Sequence, residues 1–144
     1  MYLRCILLMG EAYKTILLVE DEPDTRFLIL ASFEFANLPL SFQVVENGQE
    51  AVNYLSGKES YADRECYPLP VMIMTNIRLP YMSGFDLLEW VKQHSKLRHL
   101  PVLVMSISDD PDDLVQAASL GACSYFVKTS SYNDLIDIVA KQVL

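Results

Sequence analysis

The sequence predicts an α/β fold, a parallel sheet of five strands with helices on both faces, and three observations predict it. Short apolar runs rich in β-branched residues alternate five times with helical segments along the 144 residues. That alternation specifies parallel strands joined by right-handed crossovers, with strands buried on both faces and so apolar almost without interruption. The strand signals also tend to end abruptly at a polar residue (Glu20, Asn76, Ser106 and Lys128), at the place where open α/β sheets put their chemistry. Finally, one domain is the expectation at this length, and 51% apolar with 21% charged residues is a globular balance.

Residues 1–13 read as an extension ahead of a domain spanning 14–144. Met1 to Gly10 carries one charge before an apolar run too short to span a membrane and weak as a secretory signal. Lys14 to Val19 is the first strand, and it stops at Glu20-Asp21-Glu22-Pro23-Asp24. Pro23 suits the first position of a helix running from about Asp24 to Ala36, and capping accounts for Glu22 and Asp24. Glu20 and Asp21 precede the proline and are left over for a functional role. Phe27, Leu28, Ala31 and Phe35 form the expected docking stripe of this helix.

Ser41 to Glu46 alternates partly, as an edge strand does; Asn47-Gly48 turns the chain, and Ala51, Val52 and Leu55 face inward from a short helix. Residues 57–70 form a long irregular stretch, either a functional loop or an insertion held down by Tyr61 and Tyr67. Val71 to Thr75 is the most buried type of strand, and it ends at Asn76. Ser83, with Asp86 three residues on, caps a helix that buries Leu87, Leu88, Val91 and Trp90. His94 and His99 lack ligand partners and read as solvated. Pro101 to Met105 is the fourth strand, stopping at Ser106. Asp110-Pro111-Asp112-Asp113 caps the next helix, which Gly121 ends. Ser124 to Val127 is the fifth strand, ending at Lys128, and Ser131 to Asp134 opens a last helix with Leu135, Ile138 and Val139 inward.

The net charge of −8 argues against nucleic acid or an anionic membrane as direct partner and suits a divalent cation or a basic protein face. Cys5, Cys66 and Cys123 are odd in number and widely spaced, which indicates neither a disulfide framework nor a zinc site and fits a reducing cytoplasm.

The alternating signals predict the strand order 2-1-3-4-5, which gathers Glu20, Asp21, Asn76, Ser106 and Lys128 in one crevice. Two carboxylates and a neutral oxygen can hold Mg²⁺, and a lysine with a hydroxyl opposite them suits phosphoryl oxygens. With Ile16 to Asp24, Ile73 through Pro80 to Gly84, Pro101 to Ser106 and Gly121 to Lys128 in view, the chain resembles the response-regulator receiver domains of two-component signalling from Lys14 to Leu144. The stretch with Tyr61-Ala-Asp-Arg64 and Tyr67-Pro-Leu-Pro70 is similar to single-domain receivers that partner phytochrome-type histidine kinases.

The resemblance implies a flavodoxin-like (βα)5 fold and a signalling module rather than an enzyme. It implies Mg²⁺ held by Glu20, Asp21, residue 76 and the backbone carbonyl of Arg78. It also implies a switch pair, Ser106 and Tyr125, and a phosphoryl-contacting Lys128. The partners implied are a sensor histidine kinase or phosphotransfer protein and a downstream protein met by the fourth helix, fifth strand and fifth helix. Single-domain members often pair through that same face, so a homodimer belongs to the expectation. Two positions depart from the family: Thr129 stands where proline often comes after the lysine, and Asn76 stands where an aspartate accepts the phosphoryl group.

An amide is no useful nucleophile and carries no full charge, so phosphoryl transfer should be abolished and Mg²⁺ weakened. The chain is then either a receiver that has left phosphorylation behind or an acceptor variant; the retained Glu20, Asp21, Ser106 and Lys128 favour the second. A phosphorylation-independent interaction module ranks next. A flavin or nucleotide binder of the same topology is disfavoured because the acids after the first strand repel phosphate. An aspartate-based phosphohydrolase is disfavoured because Glu22-Pro23 comes after Asp21 where such enzymes carry Asp-x-Asp.

Overall fold

The computed structural model describes residues 13–144; the expected extension and Cys5 lie outside the described residues, save Tyr13. Five strands, β1 (Lys14–Val19), β2 (Leu40–Val45), β3 (Met72–Asn76), β4 (Val102–Ser106) and β5 (Ser124–Val127), form one sheet in the order β2-β1-β3-β4-β5. All four pairings are parallel. Between and after them run α1 (Pro23–Ala36), α2 (Gly48–Ser56), α3 (Gly84–Gln93), α4 (Pro111–Ser119) and α5 (Tyr132–Val143). The expected order therefore holds.

The sheet separates two cores. Leu17, Val19, Ile73, Val102 and Val104 point to one face, where α2, α3 and α4 cover them; Ile16, Leu18, Met72, Met74, Leu103 and Met105 point to the other, under α1 and α5. Successive strand residues feeding opposite faces is why β1, β3 and β4 read as continuous apolar runs. The register Val19↔Thr75 and Asn76↔Met105 aligns the carboxyl ends of the central strands, so the residues just beyond them share one edge.

The docking stripe expected of α1 is corrected. Ile29 and Phe33 are the buried pair, Phe33 packing on Phe42 of β2, whereas Phe27 is 70% and Phe35 92% exposed. This helix is apolar on nearly every side, so spacing alone fits more than one face; the packing of β2 and α5 selects the one that is used. Glu22 does occupy the N-cap, but its side chain makes no capping hydrogen bond there. The remaining caps form: Ser83 accepts from the Asp86 N–H, Asp110 from Asp112 and Ser131 from Asn133. Asn47, expected as part of a turn, caps α2 through the Glu50 N–H.

Residues 57–70 are a packed insertion. The Arg64 guanidinium donates to the carbonyls of Tyr54 and Leu55, at the C-terminal end of α2, and to that of Tyr67. Helix C-termini leave carbonyls without partners, and a cation there also meets the negative end of the helix dipole. Tyr54, Tyr61 and Tyr67 pack ring on ring, with Tyr54 buried and its hydroxyl donating to the Pro68 carbonyl.

Candidate functional site

The carboxyl edge of the sheet carries a crevice of about 250 Å³, lined among others by Glu20, Asp21, Asn76, Arg78, Ser106 and Lys128. Every residue expected at the site thus reaches it except Tyr125, which stands behind Ser106 on the next strand. The crevice is built by strand ends that keep their ladder: Glu20 N–H donates to Val45, Ile77 N–H to Met105 and Lys128 N–H to Ser106. Gly84 closes the loop after β3. A Cβ there would stand 1.8 Å from the Asn76 carbonyl oxygen, so only glycine lets α3 start this close to the strand.

Within the crevice Glu20 is ion-paired with Lys128. Glu20 is fully buried, and its Oε1 accepts from Lys128 Nζ at 2.8 Å. Its Oε2 accepts from the Glu22 N–H at 3.1 Å and from Asn76 Nδ2 at 2.5 Å. The same Nδ2 also donates to Asp21 Oδ1 at 3.3 Å. Asn76 Oδ1 is buried with no hydrogen-bond partner, which ordinarily costs about 1–3 kcal/mol. The reverse amide orientation would set that oxygen against two carboxylates instead, so the acids dictate which way the amide points.

The remaining residues surround this knot. Ser106 Oγ accepts from the Ser108 N–H at 3.0 Å, turning the hydroxyl onto its own loop. The Tyr125 hydroxyl donates to the Ser108 carbonyl at 2.9 Å. Burial pushes the Tyr125 phenol above its ordinary value, the hydrogen bond with Ser106 works against this, and Asp113, Asp110 and Asp109 add to the rise. Thr129 in place of proline leaves Lys128 directed at Glu20, and the next turn is closed by the Ser130 N–H on Val127.

Residues that sequence reasoning did not place here also contribute. Thr25 of α1 and Ile107 line the crevice. Tyr132 lies close enough to Glu20 for that carboxylate to reinforce burial in raising its phenol. Nothing in their spacing signals this, because they arrive from the first turns of helices and from a loop whose course the strand ends set.

As arranged, these residues fit a divalent cation poorly. The described residues hold no group of three His, Cys, Asp or Glu side chains able to bind a metal. Glu20 and Asp21 share the Asn76 amide donor, and Glu20 also holds the Lys128 ammonium. β3 ends at an amide, Asn76, whose nitrogen and oxygen are poor nucleophiles.

The family model for the response regulator receiver domain matches residues 16–140. The probable methanogenesis regulatory protein FilR2 of Methanothrix harundinacea (strain 6Ac) is 34% identical over 120 residues, 83% of this chain and 75% of that protein. The Mn²⁺-bound response regulator Rcp1 superposes with a TM-score of 0.77 at 26% identity, covering 89% of this chain and 90% of that one. The phosphorylated cyanobacterial phytochrome response regulator RcpA does so with a TM-score of 0.78 at 30% identity, covering 90% and 91%.

Proposed function

Because the chain belongs to the response-regulator receiver family, we propose that it serves two-component signalling as a receiver whose position 76 takes no phosphoryl group. Receiver domains in general bind Mg²⁺, are non-enzymatic signalling modules, and partner histidine kinases or phosphotransfer proteins. In this chain the partner is a sensor histidine kinase of the phytochrome-related kind or its phosphotransfer protein, a reading supported by the likeness to RcpA. The output is a contact with a downstream protein or a second copy through α4, β5 and α5. A cytoplasmic setting suits such partners; no helix among the described residues is long and apolar enough to cross a membrane.

The observation that carries this reading is the convergence of Asn76, Glu20, Asp21 and Lys128 at one sheet edge with an amide where the nucleophile belongs. Asn76 lacks the charge to attack phosphorus, and its loss of a carboxylate weakens Mg²⁺ at Glu20, Asp21 and the Arg78 carbonyl. A second reading, a module that signals by contact independently of phosphorylation, is favoured by one detail. Asn76 Nδ2 donates to both acids, so each acid has a donor from the chain itself.

Acetyl phosphate with Mg²⁺ tests the reading. The chain should take no label, whereas Asn76→Asp should gain an adduct stable to acid and labile to base. In that variant a carboxylate oxygen attacks phosphorus and acetate leaves, giving an acyl phosphate; Glu20 and Asp21 should be required for it. Intact-mass measurement reads the outcome. An adduct on the chain carrying Asn76, or none on folded Asn76→Asp, would overturn the assignment of the acceptor position.

A further inference from the structure

The acid pair of the crevice is bridged by one group of the chain itself. Asn76 Nδ2 stands 2.5 Å from Glu20 Oε2 and 3.3 Å from Asp21 Oδ1, bridging two carboxylates that would otherwise repel. Lys128 takes the other oxygen of Glu20. Asn76 is 5% exposed and Glu20 is fully buried, so the Glu20 end of this bridge is shielded from water while Asp21 is exposed, and the Asn76 Oδ1 is left without a partner among the described residues. A cation between the acids would have to displace the bridging amide nitrogen, which cannot coordinate it.

We propose that the Asn76 amide is a built-in replacement for the divalent cation: it bridges Glu20 and Asp21 so that the site keeps one conformation whether magnesium is present or absent. The proposal rests on the receiver reading only for which cation is replaced. It makes Asn76 more than a lost nucleophile. Aspartate at this position would leave three carboxylates that need a cation, whereas asparagine leaves two that have already been given donors. The conformation of the crevice is then fixed by the chain itself and is uncoupled from the cation supply.

The test uses Mn²⁺ and Mg²⁺ on the whole chain with no phosphodonor. Side-chain amide signals of Asn76 in a ¹⁵N NMR spectrum should survive Mn²⁺ at about 1 mM, the weak end of known cation sites, without paramagnetic broadening. The melting temperature should be the same in EDTA and in MgCl₂. Asn76→Ala removes the bridge, so it should gain Mn²⁺ affinity by at least tenfold and melt higher when the cation is added. Asn76→Ser is the fallback should the alanine variant not fold. Broadening of the Asn76 signals in the unaltered chain, or a rise of about 5 °C in its melting temperature with Mg²⁺, would overturn the proposal. So would Mn²⁺ affinity that stays flat or falls in the folded variant, since a fall would make the Asn76 oxygen a ligand rather than its nitrogen a competitor. The receiver reading fails on a different observation, the absence of label on Asn76→Asp, so the two outcomes are separable.

Discussion

Two regions of this molecule are tied down by donor side chains meeting several acceptors, and they differ in what those acceptors are. At the carboxyl edge of the sheet, Asn76 and Lys128 satisfy the carboxylates of Glu20 and Asp21. In the 57–70 insertion, Arg64 satisfies the backbone carbonyls of Tyr54, Leu55 and Tyr67. The first arrangement balances the buried charge of Glu20 and gives the exposed Asp21 a donor; the second completes hydrogen bonds at the end of a helix. The first should therefore be repairable by changing the acceptor, whereas the second should not, since a backbone carbonyl cannot be removed by substitution.

The largest stability effect is expected from Lys128→Ala. It strands a carboxylate that is fully buried, and breaking such a pair typically costs about 3–5 kcal/mol. Adding Glu20→Gln removes the stranded charge and should recover more than half of the loss, a coupling that a double-mutant cycle in urea reads directly. In an Asn76→Asp background the same Lys128→Ala change should tighten Mg²⁺, because a competing positive charge has gone. A second-site change that recovers nothing would mean that Lys128 stabilises by packing alone, and the contrast between the regions would collapse.

Arg64→Ala comes next. Three hydrogen bonds to carbonyls are lost, with Tyr54 keeping the Gly57 N–H as a second donor, worth about 2–3 kcal/mol together at roughly 1 kcal/mol each, or a fall of about 8 °C in melting temperature. Arg64→Lys should recover little, since a compact ammonium cannot span carbonyls that a planar guanidinium reaches with two nitrogens. Labelling of an Asn76→Asp protein should be unaffected by Arg64→Ala. Reduced labelling in a folded Arg64 variant would show the insertion to be part of the site.

The same contrast explains how much could be read beforehand. Glu20, Asp21, Asn76, Ser106 and Lys128 were legible because each lies at the end of an apolar run, and parallel topology places all such ends together. Arg64 was not legible as a tether, because its partners are main-chain carbonyls whose positions carry no residue signature. The inward face of α1 was misread for a related reason. With Phe27, Leu28, Leu30 and Phe35 offering alternatives to Ile29 and Phe33, the choice is made by what α1 packs against, and spacing does not contain that. The bridging role of Asn76 lies between these cases: its place came from the strand, but the direction of its amide comes from two carboxylates meeting it at hydrogen-bond distance.

Tyr125 gives the smallest and sharpest of these tests, because it stands next to the crevice without lining it and binds a main-chain carbonyl as Arg64 does. Its hydroxyl donates to Ser108, whose N–H in turn holds the Ser106 hydroxyl. Tyr125→Phe should cost about 1 kcal/mol at neutral pH, the usual net worth of one such bond. Its phenol is raised above the ordinary 10.0, chiefly by burial, so the folded chain keeps a proton that the unfolded chain gives up. The stability this contributes is therefore complete below pH 10 and is lost as pH climbs through the folded value. Tyr61 and Tyr132 are raised in the same direction and lose stability over the same range. Removing the Tyr125 hydroxyl should accordingly make the alkaline decline shallower without abolishing it, as urea unfolding on either side of pH 10 would read. Labelling of Asn76→Asp should persist in the phenylalanine variant, because the hydroxyl faces Ser108 and not the acids. A decline as steep as that of the unaltered chain would detach the phenol from the buried loop around Ser106, and lost labelling would instead place Tyr125 among the groups that set the crevice.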